Sequence, residues 1–288
     1  MLNKPIKPML LQPDKNIPDS SNYIHQLKLD GHRALLHYDN GSIKLYTRHG
    51  NDVTKRYIEL QNIDLPVHNC ILDGELVSFE VVDDAPKPSF DNLMLRFQTT
   101  NTSKIQELVN IHPVHFAAFD IIYINDEAVT SKPLSERIDI LNSVVSNAPY
   151  ISLCASYSDG SELFETIKDL ELEGIVTKNL NKPYTLNSRP ADTFIKIKNY
   201  QYDIVKINGI RKDKFGWLML DGDDQYKGVL EFVPSAERKA FYQISKQLVT
   251  GEDKNYIYLD PLIKCEVKYQ CLSKKGYMRS ASFKRFIV

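Results

Sequence analysis

The sequence predicts an α+β protein in two domains, with antiparallel sheets and helices in the first and a small β-barrel in the second. Three observations predict it. A length of 288 residues exceeds one ordinary domain and suits two of roughly 100–200 residues each. The hydrophobic pattern is mostly the period-two alternation of strands, interrupted by a few helix-length amphipathic stretches. Charge is unevenly divided: residues 1–199 hold 20 Lys and Arg against 26 Asp and Glu, whereas residues 200–288 hold 16 against 11. Asn199-Tyr200-Gln201 is the expected boundary, giving domains 1–199 and 200–288.

The elements follow in order. Tyr23–Leu29, Ala34–Tyr38 and Ile43–Thr47 are rich in strand-forming residues, and Asp39-Asn40-Gly41 is a hairpin turn between the last two. Cys70–Phe79 is a strand that carries Asp73 and Glu75 on one face, because side chains alternate. Asp83–Ser89 is polar and proline-containing, hence a loop. Ser103–Asn110 and Leu134–Val145 read as helices, the second with Ser131 or Ser135 as its N-cap. Val114–Ile124 is an apolar strand ending at the Asn125-Asp126 turn. Asp159–Leu170 is an amphipathic helix, followed by strands at Gly174–Lys178 and Phe194–Lys198 with a loop at Tyr184–Pro190 between them. Beyond the boundary come strands at Ile204–Ile210, Gly216–Leu220 and Gly228–Val233, a helix at Ser235–Leu248, and strands at Tyr256–Leu259 and Leu262–Cys271. About five strands with one helix suit a barrel of the OB type.

Composition narrows the function classes. No run of about 18 apolar residues exists, so no membrane-spanning helix is expected, and Met1-Leu2-Asn3-Lys4-Pro5 does not begin a secretory signal. A cytoplasmic protein is the expectation. Cys70, Cys154, Cys265 and Cys271 form no close pair of the kind structural zinc requires, so reduced thiols are expected. The stretch 264–288 holds seven basic residues and one acid, Glu266, which suits phosphate contacts as well as a solvated basic surface.

Several residues could carry chemistry. In Lys28-Leu29-Asp30-Gly31-His32-Arg33 an amine stands beside a carboxylate, a glycine and an arginine. A lysine nucleophile must first lose a proton although its free pKa is about 10.4, which neighbouring positive charge, desolvation or a metal can bring about. A surface Lys-Asp pair in a turn has the same local pattern. Asp73 and Glu75 fit either a salt-bridged core pair or a cation site of hard oxygens. Phe119 fits a buried core strand or an exposed stacking face. Lys196 and Lys198 lie on one side of a strand, where an apolar core would make them costly and an anionic ligand would relieve that cost.

In order along the chain, Lys28–Arg33, Leu72-Asp73-Gly74-Glu75-Leu76, Phe116-Ala117-Ala118-Phe119-Asp120, Glu173-Gly174-Ile175-Val176-Thr177-Lys178 and Phe194-Ile195-Lys196-Ile197-Lys198 form a set. That set resembles the covalent nucleotidyltransferases, and within them the ATP-dependent DNA ligases, over nearly the whole chain. The resemblance implies an adenylation (nucleotidyltransferase) domain followed by an OB-fold barrel, in a monomeric, minimal two-domain ligase of the kind found in bacteria, phages and large viruses. The implied substrates are ATP and nicked duplex DNA, with Mg²⁺ or another divalent cation as cofactor.

By the same resemblance Lys28 is the nucleophile that takes AMP, and Asp30 assists the later attack on the nick. Gln26, where the family often has glutamate, would meet the adenine amine, and Phe119 would stack on the base. Arg33 would hold the ribose or a 3′-side oxygen. Arg48 would reach a phosphate of the nucleotide or the nick; His49 beside it replaces an asparagine and reads as an exposed turn residue. Glu75 would bind ribose or metal, and Glu173 metal. Lys178, Lys196 and Lys198 would contact nucleotide or phosphate. Arg279 matches an Arg-x-x-x-Phe pattern of the family's barrel, whose further arginine and Asp-Lys ending are missing here, so Lys284 or Arg285 could substitute. The rival readings are an RNA ligase and a GTP-dependent mRNA-capping guanylyltransferase, which share the lysine and the carboxylates, and a nucleic-acid-binding module that has lost activity.

Overall fold

The computed structural model describes residues 1–82 and 84–287. The chain forms two compact units, Met1–Ile197 and Lys198–Val288. The first contains two sheets. In one, the strands run in the order Gln12–Pro13, Phe194–Lys198, Gly174–Asn179, Tyr23–Leu27 and Ser156–Tyr157. In the other the order is Ser42–Thr47, His32–Asp39, Asn69–Val82, Val114–Ile124 and Glu127–Ala128, with Ile151–Leu153 added in parallel to Val114–Ile124. The chain passes from the first sheet to the second between Leu27 and His32.

Most core strands fall where alternation places them, and Val114–Ile124, Phe194–Lys198 and Tyr256–Leu259 do so to the residue. Several elements differ. Of the 83–89 segment, Asp83 lies outside the described residues, and Ala85–Pro88 is a strand, not a loop, paired antiparallel to the end of Asn69–Val82. Proline is tolerated there because the pairing is a sheet edge. The helix Phe90–Gln98 has no counterpart in the sequence reading. Its buried residues are Asn92, Leu93 and Arg96, and Leu93 and Phe97 pack into the core, a stripe of little more than two turns with polar Asn92 and Arg96 buried beside it. The helix Leu134–Val144 is not capped by Ser131 or Ser135. Pro133 occupies the N-cap without a side-chain bond. The main-chain N–H groups of Leu134 and Ser135 donate instead to the carbonyls of Lys182 and Leu180, at 3.1 and 2.9 Å. Asp159 does cap the helix Gly160–Asp169, accepting from the N–H groups of Ser161 and Glu162 at 2.9 Å each.

The second unit is a curled sheet ordered Tyr226–Leu230, Trp217–Leu220, Gln201–Arg211, Tyr256–Leu259 and Val249–Glu252. Lys264–Tyr269 pairs with the other end of Gln201–Arg211, and Ser282–Ile287 pairs with Lys264–Tyr269. This is two strands more than expected: Val249–Glu252, exposed throughout, and Ser282–Ile287, with Lys284 and Arg285 adjacent, lack a clean alternation. The helix ends at Ser245 and its last turn, Lys246–Leu248, tightens to a 3₁₀ turn. Trp217 is fully buried at the centre, against Phe241 at 4.0 Å and Phe286 at 6.3 Å between ring centroids. No helix among the described residues is long and apolar enough to cross a membrane.

The first unit buries whole ion pairs. Arg96 donates to both oxygens of Glu59, at 2.7 and 2.9 Å, and to the carbonyls of His112 and Arg56. Arg137 forms the same fork on Asp120, at 2.8 and 2.9 Å. All four side chains are sealed from solvent, so removing one partner strands a charge in the core. We expect Glu59→Gln to lower the unfolding free energy by roughly 3–5 kcal/mol, read from the midpoint of urea denaturation. An effect below about 1 kcal/mol, the level of a surface pair, would refute this account of the core.

Candidate active site

Local sequence explains why the hexapeptide Lys28–Arg33 stands where it does. The strand Tyr23–Leu27 pairs with Gly174–Asn179, and the N–H of Lys28 still donates to the carbonyl of Gly174 at 2.9 Å. Lys28 therefore leaves the edge of the first sheet in a fixed position. Three residues later, Gly31 passes against the backbone of Asn69–Val82. A Cβ built on Gly31 would lie 2.3 Å from the carbonyl oxygen of Leu76, so only glycine permits the approach. The chain then enters the second sheet, where Arg33 sits opposite Glu75. Lys28 and Arg33 thus come from different sheets and line one pocket.

Phe119 enters that pocket through an irregularity. Asp73 pairs with Asp120 and Gly74 with Ala118, so Phe119 is the extra residue of a β-bulge. A bulge turns its additional side chain out of the regular alternation, which separates Phe119 from the buried Phe116 and Ile121 on either side. Gln26, Val176 and Lys178 complete the wall from the first sheet, with Leu11, Cys154 and Phe194. The Gln26 amide nitrogen donates to Ser156 Oγ at 3.0 Å and to the carbonyl of Cys154 at 3.4 Å. Lys178 is buried with its Nζ over the rings of Phe119 and Phe194, 4.1 and 4.6 Å from their centroids, and donates to the carbonyl of Phe119 at 3.1 Å.

The charges are closely spaced. Lys28 Nζ lies 2.7 Å from Glu173 Oε2. Arg33 places Nε and Nη2 on the two oxygens of Asp73, at 2.9 and 2.6 Å. Burial pushes the Glu75 carboxyl up to about 8; Lys28 and Arg33 oppose that shift, while Glu173 and Asp73 add to it. Burial also brings the Lys178 ammonium down to about 8, against the pull of Asp120. For Arg33, burial disfavours the charged form but Asp73 more than compensates, so the guanidinium stays charged.

Not every expected residue joins this cluster. Arg48 is exposed on the turn after Ser42–Thr47. Its guanidinium is held below the ordinary value by burial and by two neighbours, Arg33 and Arg189. Arg189 went unnoticed in the sequence, because it lies in a loop without periodicity. Together these arginines make a cationic margin. Asp30 and Lys196 are half-buried in the first unit. Lys198 and Arg279 belong to the second unit. There Lys198 donates to Gln270 Oε1 at 2.7 Å, and Arg279 lies 3.4 Å from Cys271 Sγ. Among the described residues no group of three or more His, Cys, Asp and Glu could hold a metal by itself. Glu75 and Glu173 nevertheless offer two hard carboxylates beside the pocket. Magnesium is commonly held by one or two carboxylates together with substrate phosphates. Burial raises the Glu75 carboxyl despite Lys28 and Arg33, and a cation beside the two carboxylates would favour their ionised forms, so these residues fit such a cation.

Comparison with known proteins gives concordant results. The model of the ATP dependent DNA ligase domain matches residues 8–198. The SPbeta prophage-derived DNA ligase-like protein LigB of Bacillus subtilis is 34% identical over 284 residues, covering 98% of this chain and 99% of that protein. The DNA ligase of Methanococcus vannielii is 31% identical, and the match covers 93% of this chain but 53% of that enzyme, about half its length. Among solved structures, the ligase domain of Mycobacterium tuberculosis LigD aligns with a TM-score of 0.57 at 24% identity, covering 98% of this chain and 95% of that one. A Lig E DNA ligase aligns with a TM-score of 0.67 at 17% identity, covering 97% and 99%. Both share the fold.

The Glu75 carboxyl makes one prediction. Its folded value of about 8 lies above the unfolded value of about 4.3, so between these limits the folded state holds the extra proton. Stability should therefore fall as pH rises from about 5 to about 8. Glu75→Gln should flatten that part of the curve in chemical denaturation of the ligand-free protein. Parallel curves for the two proteins would mean that Glu75 is ionised throughout.

Proposed function

This chain belongs to the ATP-dependent DNA ligase family, and on that premise we propose that it seals nicks between a 5′-phosphate and a 3′-hydroxyl in duplex DNA, through AMP carried on Lys28. The observation that carries the reading is the Lys28–Glu173 contact of 2.7 Å at a pocket whose wall includes Phe119 and Gln26. An amine, a carboxylate able to hold its proton, a stacking ring and a base-reading amide are what transfer of a nucleotide to lysine requires.

Adenine would stack on Phe119, with the Gln26 carboxamide beside the base edge. Glu173 keeps Lys28 oriented at the pocket through their 2.7 Å contact. With one ammonium proton taken up by Glu173, the Lys28 amine attacks the α-phosphate, the P–N bond forms as a second proton passes to water, and the bond to the β-phosphate breaks with release of pyrophosphate. A divalent cation such as Mg²⁺, held by Glu75 and Glu173 together with phosphate oxygens, would neutralise charge on those phosphates. Arg48, with Arg189 beside it, would hold a phosphate at the margin. In the second step AMP passes to the 5′-phosphate of the nick. In the third, the 3′-hydroxyl displaces AMP, with Asp30 assisting. Lys196 and Lys198 supply further positive charge, and Arg279 would act on the leaving pyrophosphate. Positioning and charge neutralisation account for most of such a rate enhancement.

Incubation with labelled ATP and Mg²⁺ should place one AMP on Lys28, visible by mass spectrometry. Lys28→Ala should abolish both the adduct and the sealing of a nicked duplex while the protein remains folded by circular dichroism. Label from GTP but not ATP would favour the capping chemistry. Sealing of nicked RNA but not DNA would favour an RNA ligase, and an equal adduct in the variant would remove Lys28 from its role.

A further inference from the structure

Tyr184 lies outside every motif above, in the loop before Phe194–Lys198, and is 3% exposed. Its hydroxyl uses its whole bonding capacity. It donates to Asp73 Oδ2 at 2.6 Å, and accepts from Arg33 Nη2 at 3.3 Å and from the N–H of Met9 at 3.1 Å. The phenol, Asp73 and Arg33 therefore close a ring of hydrogen bonds. Two of the three guanidinium nitrogens of Arg33 are committed to that ring. Nη1 makes no hydrogen bond among the described residues and is the nitrogen left for a ligand in the pocket that Arg33 lines.

The ring is tied to the chain's beginning. The N–H of Leu10 donates to the carbonyl of Ser188 at 2.7 Å, and that of Asn187 to the carbonyl of Lys7 at 3.0 Å. Leu11, next along, is itself part of the pocket wall. The Tyr184 ring is held from other sides by Phe194, edge-on at 6.2 Å, and by the Arg137 guanidinium at 5.6 Å. Burial, and then the charge of Asp73, keep the phenol protonated, so it remains a donor.

We propose that Tyr184 is a positioning residue for the nucleotide: through Asp73 it fixes the angle of Arg33, so that Nη1 meets the sugar of ATP. This rests on the ligase reading above. Tyr184 touches no reacting atom, and its effect passes through Arg33 alone.

The rate of Lys28–AMP formation against ATP concentration tests this in Tyr184→Phe, which keeps the ring and removes the hydroxyl. The KM for ATP should rise about tenfold, the scale of one hydrogen bond to a charged group, with the maximal rate within about twofold. In an Arg33→Ala background the same substitution should add nothing, since groups acting through one another are not additive. An unchanged KM, or effects that multiply in the double variant, would overturn the proposal. If Tyr184→Phe does not fold, Asp73→Asn, which interrupts the same ring, should give the same KM increase and the same non-additivity; independent effects would again overturn it. A wild-type protein that takes no AMP would instead signal failure of the ligase reading, so the two failures are distinguishable.

Discussion

Between Gly31 and the carbonyl oxygen of Leu76 there is no room for a side chain, and the geometry of the pocket follows from that contact. It lets the chain leave one sheet at Leu27 and join another at His32, so that two walls separated by only a few residues face each other. One wall contributes an amine, an amide and a buried lysine. The other contributes a guanidinium, a carboxyl and an aromatic ring. A turn of ordinary width would set the sheets further apart, and the separation between Lys28 and Arg33 would no longer suit one small molecule.

Charge inside the first unit obeys a consistent rule. Glu59, Asp73 and Asp120 each receive a bidentate arginine, and Glu173 receives Lys28. Such pairs rarely add much net stability, because desolvation consumes the attraction. Their value lies in direction: a planar fork holds both partners at one angle. Glu75 departs from the rule. Lys28 and Arg33 act on it, yet its carboxyl remains on the protonated side of neutrality. Burial of Glu75 thus outweighs the two cations acting on it, and a divalent cation arriving with the nucleotide's phosphates would add the positive charge that favours its ionised form.

Much of this was legible in the residues. Val114–Ile124 is a continuous apolar run, and its ends are readable because a turn follows immediately. Gly31 and Gly174 mark positions where a backbone must pass closely or adopt a positive φ, which is 143° at Gly174. The bulge at Phe119 was not legible, since an extra residue exists only relative to a partner strand 40 or more positions away in sequence. Tyr184 and Arg189 were missed for a related reason. They sit in a loop, where no periodicity reveals orientation, and their significance comes from contacts with Asp73 and Arg48. Ala85–Pro88 was misread because two prolines suggest a loop, although an edge strand accommodates them. Lys196 and Lys198 alternate as expected, but the break between the compact units falls between them.

The bulge at Phe119 also bears on how such a protein can be lost or redesigned. Deleting that one residue would restore even pairing from Leu72 to Ser78, leaving only the second irregularity of this strand pair, at Ile122, and a regular ladder is the more stable arrangement. The repaired sheet would have no ring projecting into the cavity. Selection for robustness alone therefore points away from activity at this position. A descendant freed from its chemical task would drift toward a smoother, sturdier and inert strand, and an engineer seeking heat resistance should leave the irregularity in place.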